Sequence, residues 1–313
     1  MTRTLSPLLV PGLIAALTLA GAALRGADAP PPGPASRDLV IVPVEMPQVP
    51  ADAGAATMDW TDGVLRVTGR GRPSQQAATA AQRQLTAAAA AKVQATRNLA
   101  LALAGAPVTS DATFAEFVER QGGKLRFHSF VRFDRVSEPK VLGDERVEVT
   151  LELRIRGKRD LAEALYGSGG KVQPPKLKPR GDGAPKVAGL TPADAAGPFT
   201  GLVVVADRLG AQPILRPQIF DAGGKRVYGP GVASLDAACE RGLAVYARTL
   251  EGAREHAPQV GEKPLVIRAA GVNARNAGEI FLSAEDADRA RAAEKESGFL
   301  KRAAVAIVLD AGR

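Results

Sequence analysis

Cysteine occurs once in these 313 residues, as Cys239, and histidine only twice, as His128 and His256. One thiol cannot close a disulfide within the chain or build a cysteine-based zinc or redox centre. The two histidines stand in different segments, and no EF-hand spacing of Asp and Gly offers a carboxylate metal site instead. No metal or cofactor is therefore expected. Aromatic residues make up 4% of the chain, with a single tryptophan. That leaves little for the stacking platforms on which single-stranded nucleic acids are bound. Also missing is an uninterrupted apolar run of roughly 20 residues, the length needed to cross a bilayer.

What the chain does have is enough apolar material for real cores, 45% of its residues, and a net charge of +8. Ala, Arg, Gly and Pro are abundant. Met1–Ala29 reads as an export signal. Arg3 opens it, Leu8–Ala23 is mostly apolar, and Ala27-Asp28-Ala29 offers a small-x-small cleavage site. Pro30-Pro31-Pro32-Gly33-Pro34 follows and cannot continue a helix. The expected location is the periplasm, with an uncleaved inner-membrane anchor as the alternative. Export argues against nucleic acid as the partner of this basic chain. Anionic envelope polymers, such as lipopolysaccharide phosphates or acidic glycans, suit the charge better.

Five stretches follow from composition: the signal at 1–29, a Pro- and Ala-rich tether at 30–57, a first domain at 58–166, a basic linker at 167–198 and a second domain at 199–313. In the first domain, Trp60–Thr68 reads as a strand with Asp62-Gly63 as a turn. Gly69-Arg70-Gly71-Arg72-Pro73 should break it. A long Ala-rich helix is expected from Ser74 to about Leu103, with Leu85, Ala89, Val93, Thr96, Leu99 and Leu103 on its packed face. Leu125–Phe133 and Val147–Ile155 alternate with period two, predicting two strands buried on one side. Ser137–Glu145 would join them. The linker carries many Gly and Pro residues, with Lys171, Lys176, Lys178, Arg180 and Lys186, and is expected to stay extended.

In the second domain, Leu202-Val203-Val204-Val205 predicts a central strand buried on both faces. Pro213–Phe220 and Lys225–Tyr228 suggest a hairpin around Asp221-Ala222-Gly223-Gly224. Ser234 should cap a helix carrying Cys239, Leu243, Tyr246 and Leu250 on one face. Leu265–Ala269, Glu279–Leu282 and Ala303–Leu309 read as strands, and Ser283 opens a helix that Gly298 stops. The fold class expected is α+β: a strand, long helix and antiparallel hairpin sandwich, followed by a mixed α/β domain.

Val67-Thr68-Gly69-Arg70-Gly71, the helix alanines Ala80, Ala87, Ala88, Ala91 and Ala95, and Val147-Glu148-Val149-Thr150-Leu151 carry a family resemblance. Over about Asp59–Gly167 the chain resembles the twenty-kilodalton bacterial lipoprotein family and the N-terminal domain of flagellar assembly protein T. Thr200–Ala206, Pro213–Ile219 and Val227-Tyr228-Gly229 resemble the C-terminal half of longer envelope proteins that carry this domain. The resemblance implies a structural role at the surface or in the periplasm, often in flagellar or envelope assembly, with no catalytic residues to transfer. The cysteine that carries the lipid in lipoproteins is missing after the signal.

Motifs with chemical content are few. Gly69-Arg70-Gly71-Arg72-Pro73-Ser74 has the outline of a dinucleotide-binding turn. Ser74 replaces the third glycine, and Pro73 removes an N–H that would face phosphate. A turn leading into a helix is the better reading. His128 sits on the wet register of its strand, and Cys239 reads as a buried, inert thiol. Ser110, Ser234 and Ser283 look like caps. Arg180-Gly181-Asp182 matches an adhesion tripeptide by chance composition. The best candidate rim of a pocket is Asp207-Arg208, directly after the buried strand, with Arg216 and Asp221 nearby if the hairpin folds back, although a structural ion pair is the leading reading of these charges. Ligand or partner contacts are thus expected at Asp207, Arg208, Arg216, Lys176, Lys178 and Arg180. The leading expectation is a non-enzymatic periplasmic envelope protein acting by contact with other envelope proteins. The alternative is a binding module for an anionic glycan, lipopolysaccharide or small ligand.

Overall fold

The first two strands form a tight hairpin. β1 (Ala56–Asp59) and β2 (Val64–Gly71) pair antiparallel, with Met58 opposite Leu65. The turn between them is Trp60–Gly63, held by Asp59 Oδ1, which accepts the N–H groups of Thr61 and Asp62 at 3.1 and 3.0 Å. Gly63 takes a φ of +65° there. The computed structural model describes residues 54–109, 111–120, 133–143, 145–167, 198–255, 257–273 and 276–309, all within one compact unit. Two expectations change at this hairpin. Trp60 belongs to the turn, and Gly69-Arg70-Gly71 continues β2 instead of ending it.

The reason lies in the helix above. α1 (Ala80–Gly105) starts six residues later than expected, because Thr79 and Gln82 form a reciprocal capping box. Ala87, Ala91, Ala95, Leu99, Ala102 and Leu103 are buried, whereas Leu85 and Val93 are 73% and 54% exposed. Leu99 and Leu103 are buried as expected, while alanines take the places on the packed face of the helix that Leu85 and Val93 were expected to fill. Its alanines lie directly on β2: a Cβ at Gly69 would stand 2.2 Å from the Ala95 nitrogen, and one at Gly71 would stand 2.2 Å from the Ala87 oxygen. The two glycines are there because backbone meets backbone. Asn98 Nδ2 donates to the Thr68 carbonyl at 2.8 Å and locks the register.

After α1 come β3 (Pro107–Thr109), β4 (Ala112–Thr113) and α2 (Phe114–Arg120). Two short pieces, β5 (Arg135–Val136) and β6 (Lys140–Val141), then pair with the outer edge of β7 (Val147–Arg154). The first sheet runs β1-β2-β7-β5, with β6 also on β7, all antiparallel. The expected alternation in β7 is present. Val147, Val149, Leu151 and Leu153 are buried beneath α1, each stabilising the fold by about 1.5–3 kcal/mol. On the wet face Arg66 pairs with Glu152 at 2.8 Å and Arg70 with Glu148 at 2.9 Å. Of the preceding expected strand, Leu125–Arg132 lies outside the described residues. α3 (Arg159–Ala162) and a π-helical turn, Glu163–Gly167, close this half.

The second half contains two further sheets. Along the chain come β8 (Gly201–Val205), β9 (Gln218–Phe220), β10 (Arg226–Tyr228), α4 (Leu235–Arg241), β11 (Val245–Ala247), α5 (Leu250–Glu255) and α6 (Ala257–Val260). β12 (Pro264–Arg268), β13 (Gly271–Asn273), β14 (Asn276–Phe281), α7 (Ala284–Ser297) and β15 (Val305–Val308) complete it. The order β11-β15-β8-β12 makes a parallel sheet, and β10-β9-β14-β13 a mixed one. β8 is central, as expected. Val203 and Val205 pack with Ala253 and Val260 of α5 and α6, while Leu202 and Val204 join the main core on the other face.

The helix after Ser234 is shorter than expected. Gly242, at φ +73°, ends it, so Leu243 lies beyond α4, Tyr246 sits in β11 and Leu250 opens α5. Among the described residues the architecture is mixed α+β, with several sheets and no barrel. Among the described residues no helix is long and apolar enough to cross a membrane. One core links the halves, running from Met58 and Leu99 to Tyr228 and Leu282. Backbone bonds reinforce it: Leu215 N–H to the Pro107 carbonyl at 2.9 Å, Arg216 N–H to Val108 at 3.0 Å, and Gly157 N–H to Cys239 at 2.7 Å.

Candidate functional site

Where the two halves meet, five pieces of chain converge. The β1–β2 turn brings Trp60 and Gly63, and the end of β7 brings Ile155 and Arg156. The π-helical turn supplies Tyr166. Gly242–Ala244 and Tyr246 come from the start of β11. Together with Ile214, Leu215 and Pro217 they enclose a cavity of about 30 Å³, which opens to the surface. Thr61 Oγ1 donates to the Tyr246 carbonyl at 2.9 Å. The Tyr246 hydroxyl donates to the Ile214 carbonyl at 2.8 Å and accepts the Ile214 N–H at 3.1 Å. Trp60 meets the Tyr246 ring edge-on, with centroids 5.9 Å apart. Its Nε1 is buried with no acceptor among the described residues.

Arg156 is the charged element of this wall. Its side chain threads between two glycines: a Cβ at Gly63 would stand 3.0 Å from its Nε, and one at Gly242 would stand 3.4 Å away. Nη2 donates to the Thr61 carbonyl at 2.8 Å. Burial lowers its pKa, opposed by the more distant Tyr166, Asp62 and Asp59. It forms no ion pair with any described residue. Burial also raises the pKa of Tyr166 and Tyr246, so both phenols stay neutral well into alkali. The arrangement is a small apolar hole with one cationic donor on its wall, suited to holding a compact polar or anionic group.

The rim expected from sequence does not assemble in one place. Asp207 follows β8 and pairs with Arg268 at the end of β12, at 2.8 Å. Asp221 pairs with Arg291 of α7 at 2.6 Å. Arg208 is exposed in the turn after β8, at a φ of +61°. Arg216 is buried at 4% exposure, so the surface contact expected of it is not open to it. Its Nε donates to the Leu165 carbonyl at 3.1 Å, and its guanidinium stacks 5.2 Å from the Phe117 ring. Burial brings its pKa down to about 10, aided by Arg226. Lys176, Lys178, Arg180, His128, His256 and Ser110 lie outside the described residues. Cys239 is buried, and burial pushes its thiol pKa up.

Residues 201–311 match the family of the second domain of Treponema pallidum Tp0624. The match starts at the first residue of β8 and takes in both sheets of the second half. None of the curated proteins matches the chain. The matched span supplies the loop Ile214–Pro217 and the segment Gly242–Tyr246 to the cavity, while Trp60, Arg156 and Tyr166 come from outside it. The site is therefore a product of the pairing of the halves.

Arg156 and Trp60 were not singled out by the sequence. Arg156 continues the wet register of β7 after Glu152 and Arg154, so alternation places it in solvent. The one available signal was Gly157 behind it, at φ +79°, which turns the strand back toward α4 just where Arg156 must bend inward. Among the described residues no group of three His, Cys, Asp or Glu gathers to hold a metal.

Proposed function

We propose that this chain is an exported, non-enzymatic cell-envelope protein that acts by protein–protein contact, in the class of proteins serving flagellar or outer-membrane assembly. The observation that carries the contact reading is the outer side of α1. Leu85, Val93 and Leu101 stand 73%, 54% and 48% exposed on one helix. The opposite side of that helix is fastened to β2 by alanines against glycines. A rigid helix that keeps large aliphatic side chains in water is how a partner-binding surface is presented. The N-terminal signal and the resemblance to lipoprotein and flagellar-assembly domains support the envelope setting.

Two measurements test it. Cell fractionation should find the mature chain in the periplasm, and recovery in the cytosol would overturn the reading. A photocrosslinking residue placed at Val93 should capture a discrete envelope protein that the same residue at Glu285, on α7, does not. Identical products from both positions, or none from Val93, would count against contact through α1.

A further inference from the structure

We propose that the cavity between the halves is a binding site for a small carboxylate, with Arg156 as its anion-binding residue and Trp60 and Tyr246 as its apolar walls. The inference is independent of the envelope reading and of α1.

Three features point to it. The first is the cavity itself. At about 30 Å³ it admits a few heavy atoms and no more. Pockets for drug-sized ligands start near ~300 Å³ of enclosed space, so a large ligand is excluded. The second is charge. The Arg156 side chain is half-buried, and its guanidinium donates one hydrogen bond to a neutral carbonyl, that of Thr61. No carboxylate among the described residues pairs with it. A half-buried guanidinium with spare donors favours a planar anion, and a carboxylate matches its fork.

The third feature is the cost of the arrangement. Gly63 and Gly242 both adopt positive φ and both leave the space that the Arg156 side chain occupies. A chain whose only need here was to join two halves could do so with apolar residues. Met58, Ile155, Leu215 and Leu243 line the rest of the hole and suit a short alkyl tail. A two- to four-carbon monocarboxylate satisfies size, charge and tail together.

Trp60 is the only tryptophan in the chain, so its emission reports on this wall alone. The full-length protein is titrated with sodium acetate, propionate and butyrate, against sodium chloride at equal ionic strength and against butanol. The expected result is a saturable change in Trp60 emission with a carboxylate and none with chloride or butanol. Arg156→Gln should weaken that response about tenfold or more, with Arg156→Lys intermediate. If Arg156→Gln fails to fold by circular dichroism, Ala244→Leu, which fills the hole from its wall, should abolish the response instead. No saturable change with any carboxylate overturns the proposal. So does an equal change with chloride, or a response that survives both Arg156→Gln and Ala244→Leu.

Discussion

Gly69 and Ala95 touch backbone to backbone: a Cβ on the glycine would lie 2.2 Å from the alanine nitrogen and 2.4 Å from the Ala91 oxygen. No side-chain adjustment relieves such a contact, because every atom involved is main chain. Gly69→Ala should therefore lift α1 from β2 and destabilise the protein by about 2–3 kcal/mol. Gly143→Ala, with nothing within 4 Å, should change stability by less than about 0.5 kcal/mol. Urea denaturation of the two variants side by side checks the contrast.

The junction should make the halves unfold together. Tyr246→Phe removes the hydroxyl that serves both the N–H and the carbonyl of Ile214, which is 3% exposed. The loss should be about 1–3 kcal/mol, because both backbone groups are left unsatisfied. In the unmodified protein, unfolding followed by Trp60 emission and by far-ultraviolet circular dichroism should coincide. Separate transitions would show that the shared core does not couple the halves.

All three tyrosines, Tyr166, Tyr228 and Tyr246, are buried, and burial raises the pKa of each. In the unfolded chain these phenols ionise near pH ~10. Above that pH the unfolded state has shed protons that the native state keeps, so stability falls as pH rises. Phenolate absorbance should stay flat past the ordinary range and then appear in one step with loss of circular dichroism. A gradual titration near the ordinary value, with structure intact, would contradict the burial.

Asp221 gives the opposite dependence. Burial works against its carboxylate, but Arg291 at 2.6 Å and the Lys225 N–H at 2.8 Å more than offset that, and its pKa lies below the ordinary one. Its contribution is present above the unfolded value and disappears as pH falls through the lower folded value, below about 4. Asp221→Asn should cost about 1–3 kcal/mol at neutral pH, with little difference from the unmodified protein in strong acid. Denaturant melts at neutral and acid pH decide it.

Much of the architecture was legible because side-chain period reports burial directly. The β7 alternation, the all-apolar β8, the turn at Asp221–Gly224 and the Ser283–Gly298 helix limits each follow from local chemistry. Errors arose where a neighbour distant in sequence set the outcome. Leu85 and Val93 look like core residues, yet the close approach of β2 turns alanines inward instead. Cys239, Leu243 and Tyr246 fall at helical spacing, but Gly242 turns the chain and the edge of β15 takes Tyr246 into a strand. The candidate rim gave way to the ion pairs that were its alternative for the same reason: Asp207 and Asp221 each found an arginine on a different element.

Period, caps and turn residues belong to short stretches of chain, so the sequence alone determined most of the strands and helices, and that a basic, apolar-rich chain builds α+β cores. Which face of α1 meets the sheet, and the union of Trp60, Arg156 and Tyr246 around one hole, depended on residues brought together from as far apart as the two halves. Only the tertiary structure decided those, because contact between distant segments is a property of packing that no local pattern encodes.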